Sequence, residues 1–319
     1  MRNETSANQA RGTLELTAAM VLSGTLGIFV VESGASPFTV VFFRCLFGAL
    51  ALGLYSLARG FFTGHGFTPR KLGLAALGGA LIVFNWVFLF EAYEATSISF
   101  ATVVYHTQPF FLVVLGAAVL RERISAAKLG WLAVAFAGLV LVSGVRPGDT
   151  ASLTGLGLAL AAAVLYALST IVTKRISGVR PHLVALVQVT TGIPLLLPFA
   201  DFGEAARLGA GWGWLVGLGI IHTGVMYVLM YAAYAKLPTA KIAVLAFTYP
   251  AVAMLADWLV YGHHIGLVQA LGVPLIVLAS LKVTLAKTSA TPRTPAAAPA
   301  PRTAGRAPEA ASPAATRSA

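Results

Sequence analysis

Charged residues are scarce in this sequence. Only 10% of its 319 residues are charged and 58% are hydrophobic, whereas a soluble globular domain carries about 25% charged residues. Long stretches, 72–89 and 243–255 among them, contain no charged residue at all. Water therefore cannot be the main solvent of this chain. A lipid bilayer, which a helix of roughly 20 apolar residues can cross, is the natural surrounding.

Cysteine and nucleotide-binding motifs are scarce too. Cys45 is the single cysteine, so neither a disulfide within the chain nor a CxxC metal site can form. No GxxxxGK[ST] phosphate-binding loop is present, which argues against an ATPase in this chain, and no cofactor or metal is predicted. The net charge of +11 does not predict nucleic-acid binding, because no basic stripe on a polar fold accompanies it.

Apolar runs separated by polar residues predict an all-α integral membrane protein. The longest predicted loops have about a dozen residues, too few for an extramembrane domain. Residues 1–13 are predicted to form a cytoplasmic tail. Residues 288–319 are rich in Ala, Pro and Thr and are predicted to form a disordered cytoplasmic tail. The ten predicted spans are 14–31, 38–58, 71–90, 98–119, 127–145, 154–173, 182–200, 212–232, 240–261 and 266–285.

Lysine and arginine are distributed unevenly between the predicted loops. With the N-terminus placed in the cytoplasm, only Arg146 and Arg207 fall in outer loops. By the positive-inside rule both termini are predicted to be cytoplasmic, in the plasma membrane, which is the inner membrane of a bacterium. The inner loops hold Arg59, Arg70, Lys71, Arg121, Arg123, Lys128, Lys174, Arg175, Arg180, Lys236 and Lys241.

The two halves of the chain align with each other without a gap. The segment that begins at Phe90 reads FEAYEATSISFATVVYHTQP, and the one that begins at Tyr231 reads YAAYAKLPTAKIAVLAFTYP, so both share Thr-x-Pro. Each half, 14–145 and 154–285, holds five spans, and an odd number of spans gives the halves opposite orientations. Inverted repeats are typical of secondary transporters, which bind their substrate between the halves. The alternative is that duplication only built a stable bundle.

Several of these segments resemble the EamA-type drug/metabolite transporter superfamily. They are the run Y-x-A-x-x-x-x-x-A from Tyr93, the proline-containing helix that ends in RERIS, and the helix over 130–144. The second copy runs from Tyr231 to QALGVPLIVLAS at Gln269, and departs from the family's pattern where GHHIG, from Gly262, replaces an acidic ending.

This resemblance implies a fold and a function. The implied fold has ten transmembrane helices as two inverted five-helix repeats, around a central cavity lined mainly by the first four helices of each repeat. The implied activity is the export or exchange of amino acids, other metabolites and related small molecules.

Two charged side chains stand out within predicted spans, Arg44 in the second and Asp257 in the ninth. Ionisable groups there cost about 2.5 to 3.5 kcal/mol each on insertion scales, so each should face a partner or a watery cavity. Arg44 and Asp257 are predicted at comparable depth in opposite halves, where they either pair as an outer gate or hold the two ends of a zwitterionic substrate. The alternative is that Arg44 snorkels to the interface and that Asp257 is exposed there.

A histidine is predicted close to the midplane. His106 could bind substrate or carry a proton, since histidine titrates near neutral pH. The alternative is a neutral histidine that is bonded to a neighbouring carbonyl. Its counterpart in the second copy is Phe247, so the repeat itself does not demand a histidine at this position.

Further polar and aromatic residues complete the predicted cavity wall. Pro109 and Pro250 are predicted to kink their helices and to act as hinges. His263 and His264 are adjacent and point apart, so we interpret them as surface groups rather than a metal pair. The other predicted lining residues, for which core packing is the alternative where they are aromatic, are Asn85, Trp86, Tyr105, Gln188, His222, Tyr227 and Tyr249.

These features together favour a secondary transporter and do not predict an enzyme. It would export or exchange a small metabolite such as an amino acid by alternating access between the two repeats. A proton is a candidate coupling ion, and either a monomer or a homodimer fits the pattern. The alternatives are a membrane-embedded enzyme, which would need clustered acid, base or metal ligands near one interface, and a non-transporting receptor or partner subunit.

Overall fold

The structure is a computed structural model, and it describes residues 2–108, 110–112, 114–115, 126–143, 150–237, 245, 248–263 and 266–285. Every described element is helical. A π-helical segment, Ile220–Val225, joins two of the helices. The α-helices are α1 Arg2–Glu32, α2 Pro37–Ala58, α3 Pro69–Ala95, α4 Ile98–Tyr105, α5 Ala126–Ser143, α6 Thr150–Thr173, α7 Pro181–Leu196, α8 Phe202–Ala205, α9 Gly211–Gly219, α10 Met226–Tyr234, α11 Thr248–Tyr261 and α12 Leu267–Leu285.

Helix starts follow from local sequence. Proline stands in the first turn of α2, α3 and α7, where a missing backbone N–H costs nothing because that group would have no partner in the helix. The hydroxyl of Ser97 accepts a hydrogen bond from the N–H of Phe100 at 3.1 Å and so caps α4. The loops that precede these four helices therefore end at a first-turn proline or at a capping serine.

Each of the ten predicted spans coincides wholly or partly with a described helix. Within the described residues, five helical segments are long and apolar enough to cross a membrane: Ala7–Glu32, Pro37–Ala58, Pro69–Ala95, Leu153–Thr173 and Gly211–Tyr234. Shorter apolar helices are Pro181–Leu196, Ala251–Tyr261 and Ala270–Ala279. The predicted all-α fold class is therefore confirmed.

Helix packing has the symmetry expected of two repeats. The second spans of the two repeats, α2 and α7, pack on each other, and so do the fifth spans, α5 and α12. The contact between α3 and α6 has its counterpart in the contact between α1 and α10, and the pair α1 and α11 has its counterpart in α4 and α6. Because these contacts join one repeat to the other, the core of the bundle is the boundary between the repeats.

The first helix differs from the prediction at its start. It begins at Arg2, although the predicted span begins at residue 14. Arg11 donates to Glu15 at 3.0 Å one turn later, and Glu15 also forms an ion pair with Lys236. These pairs stabilise the helix where the apolar run begins. The cytoplasmic location of residues 1–13 remains a prediction.

Glycines allow the helices of different repeats to approach each other. Gly79 in α3 lies against the backbone of Gln188 in α7, so a Cβ at this position would come within 2.7 Å of the Gln188 carbonyl oxygen. Backbone cannot move aside as a flexible side chain can. Gly73 lies in the same helix, but a Cβ there would meet nothing within 4 Å.

The two glycines give a matched test of this packing. We expect Gly79→Ala to lower the free energy of unfolding by about 1–3 kcal/mol through overpacking. Gly73→Ala gains the same helix propensity without the clash, so it should be neutral or stabilising by up to about 1 kcal/mol. Unfolding of both variants in detergent measures the difference. Equal stabilities would contradict the close contact between α3 and α7.

Candidate functional site

A central cavity of about 200 Å³ lies between the two repeats. Its walls come from helices of both repeats, with α1 to α4 on one side and α6, α10 and α11 on the other. The described lining residues are Met20, Ser23, Leu26, Arg44, Trp86, Leu89, Phe90, Tyr105, His106, Gln108, Tyr166, Met226, Tyr227, Met230, Tyr234 and Tyr249.

Arg44 is the charged residue of this lining. It is 2% exposed, which rules out the alternative that it snorkels to the interface. Its Nε donates to the hydroxyl of Thr223 at 3.0 Å, and its guanidinium carbon lies 3.8 Å from the ring centroid of Trp86. A cation over a tryptophan face is stabilised, most strongly where water is excluded. Its Nη1 is buried and, among the described residues, has no hydrogen-bond partner.

The partner of Arg44 is presented by the π-helical segment. Thr223 lies in Ile220–Val225, and its hydroxyl donates to the carbonyl of Leu218, five residues earlier, at 3.4 Å. A π-helical turn widens the helix and is frequent at functional sites. Sequence reasoning missed Thr223, although a threonine between Gly219 and Gly224 in an apolar helix was a signal that could have drawn attention to it.

Aromatic and thioether side chains form most of the remaining wall. The predicted residues Trp86, Tyr105, Tyr227 and Tyr249 all line the cavity. Sequence reasoning missed the methionines, which lie on α1 and α10 and supply polarizable, adaptable surface. The cavity therefore offers one cation and several aromatic rings to whatever occupies it. The missed lining residues with a methionine, amide or phenol group are Met20, Gln108, Tyr166, Met226, Met230 and Tyr234.

His106 lies in the cavity wall and is also tied to the backbone. Its Nδ1 is 2.9 Å from the carbonyl oxygen of Thr102, an acceptor, so Nδ1 is the donor in this bond. Its ring centroid lies 4.9 Å from that of Tyr249, across the boundary between the repeats. Both predicted descriptions, a cavity residue and a carbonyl-bonded histidine, therefore apply to it.

Three predicted lining residues are placed elsewhere. Asn85 donates to the carbonyl of Ala162 at 2.6 Å and accepts from the hydroxyl of Tyr105 at 3.4 Å, so it supports the wall from behind. Gln188 donates to the hydroxyl of Thr173 at 2.9 Å between α6 and α7. His222 is fully buried against α1, where its Nε2 lies 3.1 Å from the hydroxyl of Thr25.

Asp257 lies in a different pocket, at the end of the bundle that is predicted to face outward. This outer pocket has a volume of about 580 Å³ and lies where α3 ends and α4 begins. Asp257 accepts from the N–H of Ser99 at 3.0 Å and lies 3.0 Å from Nδ1 of His263, which is half exposed. It is fully buried, so the alternative of an exposed aspartate is wrong. Its place in the fold is explained by capping α4.

Arg44 and Asp257 consequently do not meet. No ion pair joins them in the described part of the chain, and they line separate pockets. The expectation of a gate formed by this pair is not met here, because depth along the membrane says nothing about which face of each helix carries the side chain. Of the two predicted hinges, Pro250 lies in α11 and Pro109 falls outside the described residues. His264, which was predicted to be a surface group, also falls outside them.

A thin layer of side chains separates the two pockets. Phe90 lines the central cavity and Tyr93, one turn later in α3, lines the outer pocket, with their rings stacked at 5.9 Å. On α1, Gly27 lies against Ile98 so closely that a Cβ would approach within 2.5 Å of the Ile98 side chain. Toward the other end of the bundle, Tyr166 and Tyr234 are 37% and 41% exposed.

A family model for the EamA-like transporter family matches residues 11–144 and, a second time, residues 153–285. The chain belongs to the EamA-like transporter family. The predicted resemblance is therefore confirmed, and the double match confirms the predicted fold of ten transmembrane helices in two repeats. The chain is a multi-pass membrane protein of a transporter family that acts on small molecules.

Individual relatives of this EamA-like protein agree with that assignment. It is 33% identical over 287 residues to an uncharacterized transporter of Bacillus subtilis, covering 88% of this chain and 92% of the relative. It is 34% identical over 143 residues to a probable amino-acid metabolite efflux pump of Salmonella typhimurium, covering 44% and 47% of the two chains. A solved crystal structure, 21% identical, covers 86% of this chain with a TM-score of 0.61 and supports the fold alone.

The capping role of Asp257 can be tested by conservative substitution. Asp257→Ala leaves the buried N–H of Ser99 without its acceptor, so we expect the free energy of unfolding to fall by about 1–3 kcal/mol. Asp257→Asn keeps an acceptor oxygen and should retain most of the stability. Unfolding of both purified variants measures this difference. If asparagine destabilises the EamA-like protein as much as alanine does, the carboxylate is needed for its charge and not as a cap.

Proposed function

We propose that this protein is a secondary transporter that exports or exchanges a small metabolite bearing a carboxylate, with amino acids among the candidates. It works by alternating access between its two repeats. The observation that carries the proposal is the buried guanidinium of Arg44, which faces the central cavity with Nη1 unpaired among the described residues.

The electrostatics of this site favour an anionic group. A charge that is removed from water without a counter-charge is costly, and within membranes such residues mark substrate pathways. Trp86 and Thr223 compensate the guanidinium of Arg44 only in part, since neither carries a negative charge. A carboxylate in the cavity would supply the missing charge and can accept two parallel hydrogen bonds from an arginine.

The two pockets support alternating access as the mechanism. They lie on opposite sides of the layer that contains Phe90 and Ile98, so a substrate at Arg44 is shielded from the outer pocket. Tyr166 and Tyr234 line the cavity, are partly exposed and lie toward the predicted cytoplasmic ends of their helices, so we infer that the cavity opens toward the cytoplasm, as in an inward-facing state. Rocking the repeats about their symmetric contacts would open this layer and close the other end.

The proposed orientation follows from the loop charges. With both termini cytoplasmic, in the inner membrane of a bacterium, the basic loops lie inside by the positive-inside rule. The Salmonella relative named an efflux pump supports export as the direction of transport. Either a monomer or a homodimer is compatible with a cavity that lies within one chain.

Counterflow in proteoliposomes tests the role of Arg44. With a panel of radiolabelled amino acids and metabolic monocarboxylates, we expect wild-type protein to exchange at least one of them. Arg44→Gln should lower the initial rate of counterflow of that substrate about 100-fold or more, because the loss of one partner of a buried charge pair has an effect of this size. Arg44→Lys keeps the positive charge but not the two parallel hydrogen bonds, so it should retain part of the rate.

The control for this experiment is another arginine that lies over an aromatic ring. Arg180 is exposed, and its guanidinium lies 4.7 Å from the ring centroid of Phe61, outside the central cavity. Arg180→Gln should leave counterflow unchanged. Unaltered counterflow in Arg44→Gln would refute the proposed site.

Proton coupling through His106 is tested separately. His106 is the one described lining residue that ordinarily titrates near neutral pH. If it carries the coupling proton, His106→Gln removes the acceleration by an imposed pH gradient and preserves counterflow at equal pH. A wild-type rate that ignores the gradient would instead indicate exchange or facilitated diffusion.

A further inference from the structure

The lining of the central cavity carries information about its ligand beyond the preference for a carboxylate. Resting on the function proposed above, we propose that its ligand is an aryl monocarboxylate without an α-ammonium group, whose ring carries a hydroxyl. Three features carry this inference: a single charge in the described lining, walls of rings and thioethers around a small volume, and an unpaired amide oxygen.

The charge balance of the cavity disfavours a zwitterion. The sequence holds 11 acidic residues, and none of them is among the described lining residues of the cavity. Glu122, Asp149 and Glu309 fall outside the described residues, in segments that the sequence predicts to be loops or tail. A monoanion at Arg44 would leave the site neutral, whereas a zwitterion would leave a net positive charge in a medium of low dielectric constant.

The position of an α-ammonium group adds to this penalty. In an α-amino acid the ammonium is attached to the carbon next to the carboxylate. A carboxylate bound to Arg44 therefore holds the ammonium within a few ångströms of the guanidinium, and like charges at that distance repel. Asp257, the acid that could have offset this repulsion, lies in the outer pocket.

The size and the surface of the cavity favour one aromatic ring. Its volume is about 200 Å³. An apolar protein cavity of about 150 Å³ accommodates benzene, so this one has room for a ring with a short carboxylate chain. Phe90, Tyr105, Tyr227 and Tyr249 offer ring faces and edges, which favour a planar aromatic partner over an aliphatic one.

Gln108 supplies the third feature. It lines the same cavity, and its Oε1 is buried without a hydrogen-bond partner among the described residues. A buried acceptor without a donor is destabilising, so a ligand that donates to it gains affinity. A neutral hydroxyl on the ring meets this need without adding charge.

Four probes separate these features. They are 3-(4-hydroxyphenyl)propanoate, 3-phenylpropanoate, tyrosine and phenylalanine, which form two pairs that differ by the ammonium group and two pairs that differ by the ring hydroxyl. Equilibrium binding of each radiolabelled probe to the purified full-length chain in detergent gives four dissociation constants. Binding is preferred to flux because protonated arylpropanoic acids cross bilayers unaided.

We expect each propanoate to bind at least about tenfold more tightly than the amino acid with the same ring. The hydroxylated propanoate should bind several-fold more tightly than 3-phenylpropanoate. Arg44→Gln should remove binding of both propanoates, and Gln108→Leu should remove only the advantage of the hydroxyl. Arg180→Gln should bind all probes as wild type does, and unchanged melting temperatures show that the variants fold.

The outcomes distinguish this inference from the proposed function. If tyrosine and phenylalanine bind as tightly as the propanoates, the exclusion of ammonium is wrong, although carboxylate transport stands. If no probe binds while Arg44-dependent counterflow of another carboxylate is measured, the aryl class is wrong and transport again stands. Only Arg44-independent counterflow removes the proposed function as well.

Discussion

The hydrogen bond between Arg44 and Thr223 is the interaction on which the central site depends. It connects α2 of the first repeat with the π-helical segment of the second, so the site exists only where the repeats meet. A guanidinium in a membrane core must be held by such contacts, because insertion alone costs about 2.5 to 3.5 kcal/mol. Since Thr223 and Trp86 contribute no negative charge, the arginine is fixed in position but not neutralised. A fixed, unneutralised cation is what an anionic ligand requires.

Much of the fold follows from the sequence because membrane solvation is a strong constraint. A backbone in lipid must satisfy its hydrogen bonds internally, so apolar runs of sufficient length become helices. The ten spans and the repeat could be predicted from this constraint and from the aligned segments at Phe90 and Tyr231. The continuation of α1 back to Arg2 could not, because residues 2–13 are polar and carry no apolar run that would mark a helix.

The candidate site could be predicted only in part, for geometric reasons. Depth is readable from the sequence at about 1.5 Å per residue, and it marked Arg44 and His106, both of which line the cavity, as candidates. The rotation of a helix about its axis is not readable from an almost uniformly apolar sequence. Asn85 and Gln188 thus have suitable depth and yet bond to neighbouring helices, and Asp257 caps α4. The π-helical segment adds a residue to one turn and turns Thr223 toward Arg44, which no regular period predicts.

The scaffold is symmetric, but its chemistry is not. Both α2 and α7 begin with proline, and the eighth residue is Arg44 in the first and Gln188 in the second. Gln188 lies over Gly79 and bonds to Thr173 between helices, whereas Arg44 faces the cavity. His106 likewise has a phenylalanine, Phe247, as its counterpart in the sequence. The packing between the repeats can therefore stay symmetric, as rocking between two equivalent states needs, while only the first repeat supplies the cation. If both repeats supplied one, two buried guanidinium groups would repel each other across a cavity of about 200 Å³. A single arginine avoids that repulsion and leaves the described lining with the charge that one carboxylate can neutralise.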